Sequence, residues 1–381
     1  MELKKINFNN LDDKTKGMMK IGMILLGVTF ALLIISLIYN IMGGTVLSFD
    51  KIENQMIRAA QNYIESNPDK KGELDYSTII IDVDDLVGGG YLKELSKYTD
   101  ETTTCFGKVL VHKNMDNYSY TPKLDCKDKY KTKSLVDVIT KKENIVTSNA
   151  GLYKIETEEP YFLYRGEDVK NYLKIDEKIW RILRINSDNT IRIIESESKE
   201  NISWDDRYNE EKKYNVGINE FDYTEPSRLK TTLIKNFEEN ETITNSLRSI
   251  VVPHELCVGK KSYNELDNTG NIECSKKSEP MNAGTLYLSE YFQASLDQNC
   301  FGIESNSCKN YNYIADFRRR MTTLTANTEN TYDVYVIHKN PSLTKASYSS
   351  YLHLVLHLSK DVNYASGDGS LENPYTININ A

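Results

Sequence analysis

Residues 177–194, EKIWRILRINSDNTIRII, decide how the larger part of this chain is read. Apolar and polar side chains alternate across 177–185, Asp188-Asn189 supplies turn chemistry, and 190–194 returns in β-branched residues. Because successive side chains on a strand point to opposite faces, this pattern predicts an antiparallel hairpin with one apolar face. Downstream, 226–239 (PSRLKTTLIKNFEE) places Leu229, Leu233, Ile234 and Phe237 on one side of a helix that Ser227 can cap. Residues 285–295 (TLYLSEYFQAS) read as a strand followed by a helix with Ser289 as its N-cap. Strands follow over 332–338 and 351–358, and a Gly367-Asp368-Gly369 turn leads into a closing strand. Strands and helices mixed in this order predict an α+β domain over 161–381.

Upstream, 129–160 is polar and rich in Lys, Thr and Asn, and reads as a linker or the first strand of that domain. A smaller α+β module is expected over 45–128. It has a β-branched strand at 77–81, a break at Gly88-Gly89-Gly90 and a short helix or turn at 91–97. A hairpin, 108–112 with 117–122, is expected to turn at Asn114-Met115-Asp116. Ahead of these lies a helix on which Phe49, Ile52, Met56, Ala59 and Tyr63 step by three and four. That stripe is expected to pack on its own module, the alternative being self-association of chains through 49–66. Asn67-Pro68 ends it.

The first 42 residues are different. Residues 21–42, IGMILLGVTFALLIISLIYNIM, carry no charge, and such a helix, about 33 Å long, is enough to cross a bilayer. Residues 1–20 hold five lysines against Glu2, Asp12 and Asp13, so the positive-inside rule places them in the cytoplasm and the bulk of the chain outside. The apolar run exceeds that of a cleaved signal, and Gly43-Gly44-Thr45-Val46-Leu47-Ser48 fits a signal-peptidase site poorly. An uncleaved single-pass membrane anchor is therefore expected. The formal charge of the 381-residue chain is −8; the +2 of the lysine-rich end leaves −10 on the rest. An acidic outer portion argues against a nucleic-acid partner, because phosphate binding needs a basic surface.

Lysine-bearing leader, apolar helix, continuing amphipathic helix and a "GGGYL … C-x-G" run together resemble type IV pilins and pseudopilins. Gly17-Met18 is similar to that family's leader-cleavage site, although Gly22 stands where its glutamate belongs and Lys20 falls within the apolar run. The later stretch resembles the formylglycine-generating-enzyme and C-type-lectin-like plan. The pieces that carry this are IWRILRINSDNTIRII, the SRLKTTL helix, GTLYLSEYFQAS and the closing GDGSLENPYTI. The family's enzyme uses a reactive cysteine pair near its C-terminal end; no cysteine follows Cys308, so that activity is not carried over.

Six cysteines in a chain expected outside the cell favour disulfides. Several connectivities are open, and the economical one pairs neighbours: Cys105 with Cys126, Cys257 with Cys274, Cys300 with Cys308. Their spacing does not suit zinc. No phosphate loop, dinucleotide fingerprint or nucleophile elbow is present, so no catalytic, metal or cofactor residues are assigned. Asp82, Asp84 and Asp85 lack EF-hand spacing and read as a solvated edge. His353 and His357 read as two half-exposed strand histidines. Ligand-binding candidates are the aromatics Trp204, Tyr208, Tyr311 and Tyr313, whose flat faces suit sugars or proteins, and Arg318, Arg319 and Arg320, which suit an anionic polymer. The leading expectation is a membrane-anchored bacterial surface protein, non-catalytic, whose extracellular domain binds a protein or glycan in adhesion or an envelope role. The alternatives are an extracellular enzyme acting on envelope material and a minor subunit of a pilus-like or secretion filament.

Overall fold

In the computed structural model, the hairpin at 177–194 sits at the centre of the largest sheet. Residues 26–30, 46–75, 77–100, 102–212, 215–240, 243–297, 299–303 and 305–379 are described. Most of the 21–42 segment and the Gly17-Met18 site lie outside them; residues 26–30 are helical. Among the described residues no helix is long and apolar enough to cross a membrane.

The chain is mixed α+β, with more sheet than helix. Helix α1 (Phe49–Ser66) is followed by the short α2 (Pro68–Glu73), β1 (Ile79–Asp82), α3 (Val83–Gly88), β2 (Phe106–Asn114) and β3 (Asn117–Asp125). The three strands form one antiparallel sheet in the order β1-β2-β3. The β2–β3 ladder is unbroken from Phe106↔Asp125 to Asn114↔Asn117, which leaves a two-residue turn with Met115 in the left-handed region. Of the α1 stripe, Ile52, Met56 and Ala59 are buried and Phe49 and Tyr63 half-buried; with Ile64, which the stripe did not include, they close over Val109, Val111, Ile79 and Ile81. Each such burial contributes roughly 1.5–3 kcal/mol for the larger aliphatic side chains. Since these residues pack inside the module, self-association through 49–66 would have to use other side chains.

The segment 129–160 is folded into the larger domain. Helix α4 (Leu135–Ile139) buries Leu135, Val136 and Ile139 in the main core, and β4 (Gly151–Ile155) pairs with β5 (Tyr161–Arg165). Next come β6 (Tyr172–Ile175), β7 (Lys178–Ile185) and β8 (Ile191–Glu195). The chain continues through β9 (Asn201–Ser203), α5 (Arg228–Glu239), α6 (Asn245–Ile250), β10 (His254–Cys257) and β11 (Lys260–Lys261). It ends with β12 (Lys277–Met281), α7 (Leu288–Ala294), β13 (Met321–Asn327), β14 (Asp333–His338), β15 (Asn340–Lys345), β16 (Ser349–Tyr351), β17 (Val355–Leu358), β18 (Asn363–Ser366) and β19 (Tyr375–Asn378). One sheet runs β17-β8-β7-β6-β19-β18 with β5 and β4 branching from β7; a second runs β15-β14-β13-β16-β9.

Two expectations need correction. The β7–β8 hairpin forms with Asn189 left-handed at its turn, but both faces are buried, including Arg181 and Arg192. Helix α7 is not capped by Ser289, which lies inside it; Glu290 reaches back to accept the Tyr287 N–H at 2.9 Å. Helix α5 follows expectation in its cap, where the Ser227 hydroxyl accepts the Lys230 N–H, and in the burial of Leu229, Leu233 and Phe237; Ile234, expected on the same face, is 41% exposed.

Candidate functional site

The aromatic candidates divide by burial. Trp204 and Tyr313 are each 1% exposed and belong to the core; the indole Nε1 donates to the Thr323 carbonyl at 3.0 Å, and the Tyr313 ring lies beneath the Arg181 guanidinium. Neither can offer a face to a ligand, which corrects that expectation. Tyr208 and Tyr311 are 62% and 59% exposed. Arg318, Arg319 and Arg320 are exposed as well, but Arg319 lies over the Tyr351 ring at 4.3 Å and Arg320 Nη2 donates to the Ser349 carbonyl at 2.6 Å.

Of these residues Tyr311 lines an open groove of about 640 Å³, together with Ser148, Asn149, Tyr153, Arg165, Glu167 and Asp168. Local chain geometry builds it. Gly166, just beyond β5, bonds on both sides: its N–H donates to the Ala294 carbonyl at 2.9 Å and its own carbonyl accepts the Tyr313 N–H at 2.8 Å. Its φ is +110°, and a Cβ there would lie 2.5 Å from that of Ala150, so only glycine lets the 147–150 loop close against this end of the sheet. Tyr311 has φ +51°, unusual for a bulky side chain. Its N–H donates to Glu167 Oε1 at 3.0 Å and its carbonyl accepts the Leu296 N–H, which fixes its backbone while the side chain stays exposed in the lining. Asn149, across from it, is also left-handed, and its carbonyl accepts the Tyr153 hydroxyl. The Arg165 guanidinium lies 5.4 Å over the Tyr153 ring while Nε donates to the Ser295 carbonyl. Nearby, burial pushes the Asp316 carboxyl up, and repulsion from Glu167 and Asp168 adds to it.

A second groove of about 700 Å³ lies where the small module meets the larger domain, lined by Phe106, Leu110, Val136 and several charged residues. Of its polar groups Lys123 serves the joint, its Nζ donating to the Asp361 carbonyl and to Asn363 Oδ1 at 2.6 Å, and Lys131 pairs with Asp125.

The core holds a charged group that sequence reasoning missed. Arg192 on β8 meets Glu290 on α7, with Nη2 donating to Oε2 at 3.0 Å, and Nη1 lies 3.2 Å from His357 Nε2. A lone arginine within TIRII was the available signal. His353 and His357 are buried rather than half-exposed, so they too need correction. Burial pushes both below the ordinary imidazole value. All three neighbouring cysteine pairs form disulfides and no cysteine is free. Among the described residues no group of three His, Cys, Asp or Glu is placed to hold a metal ion. No protein-family model, curated protein or solved structure matches the chain.

Proposed function

We propose that the protein is a membrane-anchored bacterial surface protein whose outer domain binds a glycan or protein ligand through the Tyr311 groove, without catalysis. The observation that carries this reading is the groove itself: an exposed aromatic, its backbone fixed by a carboxylate on its own N–H, in the lining of an open concavity of about 640 Å³. Its volume falls in the range of ligand pockets, and its lining is mostly polar, with Ser148, Asn149, Arg165, Glu167 and Asp168 beside Tyr153 and Tyr311. His357 and Glu273, whose protonation burial shifts, lie outside the Tyr311 groove, and Lys123, lowered by burial, lines the other groove, where the Asp361 carbonyl and Asn363 engage it. Three disulfides suit an oxidising, extracellular setting. The anchor rests on the uncharged 21–42 segment and the lysines before it.

Cells displaying the full chain should adhere to glycan- or protein-coated surfaces more than cells lacking it, and Tyr311→Ala should remove most of the gain. Protease added to intact cells should digest the larger domain. Equal adhesion with and without the protein, or full protection from protease until lysis, rejects the reading.

A further inference from the structure

We propose that the Tyr311 groove is a saccharide site that takes uncharged sugar chains and excludes anionic ones. This rests on the surface-binder reading and narrows its ligand. The groove is concave and small, about 640 Å³, within the range of small-molecule sites rather than the broad faces through which proteins meet. The exposed Tyr311 ring offers a flat apolar face with a polar tip, the surface on which the C–H face of a sugar ring can pack.

The polar lining then selects by charge. Ser148 and Asn149 can donate and accept, whereas Glu167 and Asp168 only accept. A chain of hydroxyl donors satisfies such acceptors; a uronate or phosphodiester chain brings further acceptors and meets like charge. Arg165 is the one cation in the lining, and its guanidinium is engaged by the Tyr153 ring and the Ser295 carbonyl. With Arg165 against Glu167 and Asp168, the lining carries a formal net charge of −1. Burial first, then Glu167 and Asp168 against Arg181, push the Asp316 carboxyl up, in keeping with that negative charge.

The test is isothermal titration of the full chain in detergent micelles with chitotetraose, cellotetraose and maltotetraose as neutral probes and tetragalacturonate as the anionic one. Groove binding is the part that Tyr311→Ala removes; Tyr311 is exposed, so the variant should stay folded, which its unfolding transition checks. At least one neutral probe is expected to lose tenfold or more in affinity in Tyr311→Ala, and tetragalacturonate is expected to show no Tyr311-dependent binding. Asp168→Lys removes one acceptor and reverses its charge, so it should weaken neutral binding and create Tyr311-dependent binding of tetragalacturonate. Tetragalacturonate bound in a Tyr311-dependent way as tightly as the neutral chains overturns the inference, as does the absence of Tyr311-dependent binding for every neutral probe. In that last case, Tyr311-dependent adhesion of cells to a protein-coated surface would leave the surface-binder reading standing, and its absence would remove that as well.

Discussion

His357 shows how a single side chain can set the acid limit of this fold. An arginine N–H can only donate, so the 3.2 Å approach of Arg192 Nη1 requires His357 Nε2 to carry a lone pair and the ring to be neutral. The ring also lies against His254, with centroids 4.0 Å apart and planes tilted by 30°. Burial pushes the His357 ring well down, and Arg192, His254 and Arg184 push the same way. At His353, Nδ1–H donates to the Glu195 carbonyl at 2.8 Å, which supports the charged form, yet burial outweighs it and the value again falls, with Lys178 and Arg319 adding to the fall. Burial also lowers His254, against the pull of Asp188, and His112. A native value below the unfolded one of about 6.5 means that, under acid conditions, the unfolded chain binds a proton the native state refuses. Stability from these groups is complete above about pH 6.5 and falls as pH drops, by up to about 1.4 kcal/mol per pH unit for each histidine. Glu53 and Glu273, pushed up by burial, act in the opposite sense at the acid end, from about pH 4.5 upward. The urea midpoint should therefore fall between pH 7 and 5.5, and His353→Gln with His357→Gln should remove about half of that fall. An unchanged midpoint over this interval would contradict the burial argument.

Among the elements, the β2–β3 hairpin is stapled at its open end. Cys105 precedes β2 and Cys126 follows β3, and the bond closes a 21-residue separation. Loop-closure entropy for a loop of that size corresponds to about 3 kcal/mol. Replacing both cysteines by alanine should lower stability by about that amount in a denaturant titration; a loss below about 1 kcal/mol would mean that packing of α1 already confines the hairpin in the unfolded chain. This pairing was legible because each bridge joins sequence neighbours. The α1 stripe and the β7–β8 alternation were legible for a similar reason: periodicity is a local signal. What escaped depends on distant partners. Arg181 and Arg192 look like solvent-facing residues until Asn171 Oδ1 and Glu290 are seen to accept from them inside the core. Ser289 looks like an N-cap, but the Leu288 and Ser289 N–H groups donate to the carboxylate of Glu273, far back in the chain, and Glu290 turns back to Tyr287. Helix α3 was hidden because Asp82, Asp84 and Asp85 read as a solvated edge. The aromatic candidates lie in loops without period, so nothing local separated buried Trp204 and Tyr313 from exposed Tyr208 and Tyr311.

At the scale of the whole molecule, the joint between the small module and the larger domain is polar and specific. Asn114, at the tip of β2, is buried, and its Nδ2 donates to the Arg248 carbonyl at 3.0 Å, the Val251 carbonyl at 3.1 Å and Asn282 Oδ1 at 3.1 Å. On β3, the Pro122 carbonyl accepts from Asn363 Nδ2 and Lys123 reaches the Asp361 carbonyl and Asn363 Oδ1. Such an arrangement couples the small module to the domain that carries the groove, and it does so through hydrogen bonds that water replaces poorly once buried. Truncating Asn114 to alanine leaves those acceptors without their donor at a cost of about 1–3 kcal/mol. The module's own core, from Ile52 to Leu124, is separate from that cluster, so the cost falls on docking rather than on either fold. Scanning calorimetry should therefore show one joint transition for the full chain and two separated ones for Asn114→Ala, with the larger domain's transition little moved. A single transition shifted downward as a whole would mean instead that the two parts unfold as one cooperative unit and that the hairpin tip belongs to a common core.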